Sequence, residues 1–111
     1  MVNILKFCIA DNVYTELNKD KKFKKTLRQI SRKKPVSGLF LITEPLFEAG
    51  IMEIYNYNEL LQPYYRKQKR VINILGIASS RDNAKSIVRD IVEDLYNCDN
   101  FDIKTFFGLG G

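Results

Sequence analysis

VINILGIASSRDNAKSIVRDIVEDLYN, residues 71–97, changes its hydrophobic period half-way along, and that change decides the fold class. From Val71 to Ala78 the side chains are almost all apolar and rich in β-branched types, which predicts a strand. From Ala84 onward the apolar residues recur at three and four: Ala84, Ile87, Val88, Ile91, Val92, Leu95 and Tyr96. That spacing predicts an amphipathic helix to about Asn97, with Lys85, Arg89, Asp90, Glu93 and Asp94 on its opposite face. Ser79 and Asp82 stand at capping-box spacing at its start.

Downstream, Asp99-Asn100 reads as a turn and Phe101 to Phe107 as a returning strand with Ile103 and Thr105 on one side. This makes a C-terminal strand-helix-strand unit. Gly108 to Gly111 reads as a flexible tail after a single domain, residues 1–107. Its last two residues, Gly110-Gly111, resemble the ends of ubiquitin-like sulfur carriers, in which a narrow tail enters an activating enzyme. The resemblance covers those two residues, and the long helix before the last strand departs from the usual order of those folds.

Upstream, Gly38 to Thr43 predicts a central strand, because the unbroken run Leu39-Phe40-Leu41-Ile42 needs cover on both faces. Ile51 to Tyr57 alternates apolar and polar residues, as an antiparallel partner with one wetter face does. Asn58 is placed to cap a short helix, Glu59 to Gln62, bent or ended at Pro63. In Lys21 to about Arg32, Phe23, Leu27 and Ile30 form one narrow apolar stripe, so this is a helix, ended by Pro35. Asp11 can cap a further helical segment holding Val13, Tyr14 and Leu17. Val2 to Ile9 fits helix or strand. The expected architecture is α+β: one two-layer domain with a mostly antiparallel sheet of about four strands, from residues 38–43, 51–57, 71–78 and 102–107, and helices packed on one face.

The chain has 111 residues, 45% hydrophobic and 28% charged, which is ordinary for one globular domain. No apolar run approaches the ~20 residues of a membrane-spanning helix, and the amino terminus lacks the features of a leader, so a cytoplasmic protein is expected. Cys8 and Cys98 form no disulfide framework and read as thiols packed in the core. Histidine is absent, so the usual proton shuttle and the triads built on it are missing, and neither metal nor cofactor is expected. No catalytic residues are assigned; Asp90 and Asp94 read as a solvated face.

The net charge of +5 is concentrated. Lys19 to Lys34 carries nine basic residues against Asp20, a local charge of +8, so the remainder of the chain sums to −3. Lys21, Lys22, Lys24, Lys25, Arg28, Arg32, Lys33 and Lys34 are the candidate polyanion-binding residues, for nucleic acid or an acidic protein; the alternatives are a solubilising helix face or, least suited, an anionic membrane. Tyr55, Tyr57, Tyr64 and Tyr65, beside the smaller basic cluster Arg66, Lys67, Lys69 and Arg70, could stack on bases or bury their rings at a subunit interface. Ser79 and Ser80, at the strand-to-helix turn, are candidate anion contacts or simple caps. The functional expectation is a non-enzymatic binding module for a polyanion such as nucleic acid, with a homodimeric interaction protein as the alternative.

Overall fold

A computed structural model describes residues 5–46, 51–68, 70–98 and 102–109. The elements are β1 (Lys6–Thr15), α1 (Lys21–Ser31), β2 (Phe40–Thr43), β3 (Glu53–Asn56), α2 (Tyr57–Leu60), α3 (Pro63–Arg66), β4 (Val71–Ala78), α4 (Arg81–Asn97) and α5 (Ile103–Phe106). The strands form one mixed sheet in the order β1-β4-β2-β3, with β1 parallel to β4 and β2 antiparallel to both of its neighbours.

The sheet has helices on both faces, not on one. Successive strand residues point to opposite sides, and Leu41 belongs to a core cluster with Phe23 and Ile30 of α1, whereas Ile42 belongs to a second cluster with Ala84, Ile87, Ile91 and Leu95 of α4. The continuous apolar character of β2 and β4 follows from this double cover. Ile42, Ile74, Leu75 and Ile77 have no exposed surface. At the waist, Gly76 leaves room for α4: a side-chain carbon built there would lie 2.8 Å from Ile42 Cδ1 and 3.0 Å from Ile87 Cγ2.

Two segments take the other secondary structure. Residues 11–15, read as helical, belong to β1. The register runs Ile9 opposite Ile74 and then Tyr14 opposite Gly76, so Ala10 to Val13 bulge out against Leu75 alone. The bulge resets the alternation, which gives Val13, Tyr14 and Leu17 a helix-like spacing within and beyond a strand. The second is the C-terminus, where residues 103–106 form α5 instead of a strand, so the expected strand-helix-strand unit is β4 followed by two helices. Asp102 caps α5: its carboxylate accepts the Lys104 N–H at 3.1 Å and the Thr105 hydroxyl at 2.7 Å. Phe107 then buries itself against the α4 cluster. The fourth strand is therefore β1.

Smaller shifts have equally local causes. Asn56, not Asn58, caps α2, its side chain accepting the Asn58 N–H at 3.1 Å. Pro63 opens α3 at the first helical position, where its missing N–H costs nothing. Gly108 and Leu109 close α5, and Leu109 packs on the core. Residues 1–4, 99–101 and 110–111, which include the Asp99-Asn100 turn and the terminal Gly110-Gly111, lie outside the described residues. Cys98 is exposed at the end of α4 and Cys8 half-buried, so the thiol expected in the core at Cys98 is at the surface. Among the described residues no helix is long and apolar enough to cross a membrane.

Candidate functional site

Helix α1 is anchored by its apolar stripe. Phe23 and Ile30 are buried and Leu27 packs against the same cluster, which turns the charged side chains of the helix toward solvent. At 100° per residue, Lys21, Lys25, Arg28 and Arg32 fall on one outward ridge, with Lys22 and Lys24 on its two flanks. All six are exposed, as is Lys34; Lys33 is half-buried. Seven cations thus occupy one surface about 16 Å long, from the rise per residue.

Both ends of the helix are capped in ways that bear on this surface. The Asp20 carboxylate accepts the Phe23 N–H at 3.1 Å, and no acid lies in the first turn. Lysines there face the positive end of the helix dipole, which disfavours them by ~0.3–1 kcal/mol each. At the other end, the Lys33 N–H donates to the Ile30 carbonyl at 3.0 Å and the Lys34 N–H to the Gln29 carbonyl at 2.9 Å. This is a Schellman turn, and its left-handed residue is Lys33, φ 57°. The same turn after α5 uses Gly108, φ 63°. The turn folds Lys34 back beside the helix, where Lys25, Arg28, Gln29, Arg32 and Lys34 line a shallow groove of about 290 Å³. A second groove of about 330 Å³ at the start of α1 includes Lys22 together with Asp20 and the apolar Leu17 and Phe23.

Tyr57 supports the groove from below and is not a surface residue. It has no exposed surface, its ring packs on Phe7, and its hydroxyl donates to the Lys34 carbonyl at 2.8 Å, with the Gln29 carbonyl at 3.4 Å. Burial pushes its pKa up to about 12, against a smaller opposing pull from Arg66. The part expected of Tyr57 in stacking or dimerisation is therefore corrected to that of a core pillar. The other three tyrosines do come together: Tyr65 meets Tyr55 edge-on at 6.0 Å and Tyr64 at 5.1 Å. Tyr55 donates to Glu53 at 3.2 Å; burial and that carboxylate raise its pKa, while burial and Glu59 raise that of Tyr65. Tyr64 exposes 60% of its surface. The cluster stands beside both acids and bases. Arg66 and Lys67 are exposed, Arg70 donates to the Leu46 carbonyl at 2.6 Å, and Lys69 lies outside the described residues.

Ser79 and Ser80 are not an open anion site. The Ser80 hydroxyl accepts the Asn83 N–H at 3.1 Å and so caps α4, while the Ser79 N–H is taken by the Glu16 carboxylate at 2.6 Å. The anion favoured at this helix start is the chain's own glutamate. Sequence reasoning missed Glu16 here, since its partner is 63 residues away. It also missed Gln29 as a groove residue and the left-handed turn at Lys33, where a glycine would have signalled the turn.

No family model, curated protein or solved structure matches this chain. The basic face of α1 has to be interpreted from its own chemistry.

Proposed function

We propose that this chain is a non-enzymatic binding protein that holds a polyanion, nucleic acid foremost, on the basic face of α1. The observation that carries the reading is the concentration of exposed cations on one helix, four of them around a single groove, in a chain whose remaining residues sum to −3. A helix that needed only solubility would gain more from mixed charges, with acids in its first turn. The two free thiols suit a reducing, cytoplasmic setting.

Fluorescence anisotropy with short oligonucleotides at low and physiological salt tests the proposal. Binding should weaken steeply with salt, as counterion release requires. Lys24→Glu with Arg28→Glu should weaken it at every sequence alike while the fold survives, because both side chains are exposed. Absence of binding tighter than about millimolar at low salt, where attraction is strongest, overturns the reading.

The Tyr55, Tyr64 and Tyr65 cluster favours a second reading, a homodimer that covers these rings. Large exposed aromatic patches are commonly buried between two-fold related copies. Sedimentation at high micromolar concentration decides it: a dimer dispersed by Tyr64→Ala supports the interface, and monomer alone rules it out.

A further inference from the structure

We infer that the polyanion is gripped through its phosphates alone, at the groove of Lys25, Arg28, Gln29, Arg32 and Lys34, and that a duplex is therefore bound in preference to a single strand. The inference rests on the reading of α1 as a polyanion site and adds the kind of nucleic acid. Proteins that hold single strands combine a cationic track with rings on which bases stack, and the stacking supplies much of the affinity. In this groove the track stands without the rings. No ring lines the groove, and Phe23, the aromatic residue of α1, is buried. Tyr57, the tyrosine beneath the groove, is sealed in the core with its hydroxyl committed to the Lys34 carbonyl.

Rings that reach the surface lie outside this groove: Tyr64 stands on α3 beside the exposed Arg66 and Lys67, and Tyr96 on α4. Tyr55 donates to Glu53, so its hydroxyl is committed to a carboxylate of its own chain. What remains for the ligand is charge density. A duplex presents one phosphate per about 1.7 Å of axis, both strands counted, so each cation of the ridge releases about 0.9 counterions on a duplex against about 0.7 on a single strand. Flanking Lys22 and Lys24, on either side of the ridge, extend contact to both sides of the helix.

The experiment compares one labelled strand with the same strand annealed to its complement, at several salt concentrations. The duplex should bind at least about fivefold more tightly at low salt, with a log–log slope of about −3.6 if the four groove cations each neutralise one phosphate. Arg28→Glu with Arg32→Glu should weaken duplex binding at least about tenfold; if that variant fails to fold by circular dichroism, Arg28→Gln with Arg32→Gln should lower the slope by about two. Tyr64→Ala should leave both ligands within about twofold, whereas loss of a stacked base would weaken binding about five- to a hundredfold. A single strand bound as tightly as the duplex, or a weakening by Tyr64→Ala, overturns the phosphate-only inference and leaves polyanion binding standing. Failure of both ligands to bind at low salt removes polyanion binding itself.

Discussion

Lys33 is held in a backbone conformation that costs an L-residue ~1–2 kcal/mol, at a position where α5 uses Gly108. Lys33→Gly should therefore raise stability by about 0.5–1 kcal/mol, the gain being trimmed by the freer unfolded chain. A urea midpoint moved upward with unchanged slope would show it. Affinity should fall only slightly, because Lys33 lies outside the groove lining and the glycine keeps the turn that places Lys34. Gly76 shows the opposite constraint. Its own φ is not the reason for glycine; the reason is Ile42 Cδ1 at 2.8 Å and Ile87 Cγ2 at 3.0 Å from any added side-chain carbon. Gly76→Val should lower stability by about 1–3 kcal/mol through overpacking between β4 and α4, read from the same urea transition.

Helix α1 sets its own stability against its charge. Lys21 and Lys22 sit in its first turn, where acids belong. Lys21→Glu with Lys22→Glu should stabilise the fold by roughly 0.3–1 kcal/mol for each residue at low ionic strength, while weakening oligonucleotide binding. Thermal unfolding and anisotropy on the same samples test the pair of effects, and a gain in stability with unchanged affinity would show that these lysines do not meet the ligand. α4 is built the other way. Asp82 occupies its first turn, Ser80 caps it, and Ile87, Ile91 and Leu95 are buried, so this element carries stability. Ile91→Ala should cost about 2–5 kcal/mol, measured as a lower urea midpoint.

At the scale of the molecule, four tyrosines hold their protons more tightly when folded. Burial is the first cause in each, joined by Asp94 at Tyr14, which donates to that carboxylate at 2.5 Å, by Glu53 at Tyr55 and by Glu59 at Tyr65; Tyr57, at about 12, has burial alone. A tyrosine whose folded pKa lies above its unfolded value of ~10 contributes stability that is complete below pH 10 and is lost as pH climbs through the folded value. Stability should thus hold to about pH 10 and fall steeply between 10 and 12. Tyrosinate absorbance and near-ultraviolet circular dichroism should change together, since the rings ionise on unfolding. Ionisation of Tyr14, Tyr55, Tyr57 and Tyr65 near pH 10 with the fold intact would contradict their burial.

Sequence alone determined the elements whose own pattern is strong. β2, β4, α1 and α4 could be placed because a continuous apolar run or a three-and-four period records which faces must leave water, and the cationic face of α1 follows once Phe23, Leu27 and Ile30 are turned inward. Tertiary structure decided everything that depends on a partner distant in the chain. The bulge at Ala10 to Val13 exists only against β4, α5 forms where Phe107 can pack on α4, and β1 rather than residues 102–107 completes the sheet. Tyr57 went from surface to core because its hydroxyl finds the Lys34 carbonyl 23 residues away, and Ser79 lost its vacant N–H to Glu16. The physical reason is the same throughout: periodicity reports burial, whereas hydrogen-bond partners and the side of a sheet are settled only when separate segments compete for one space.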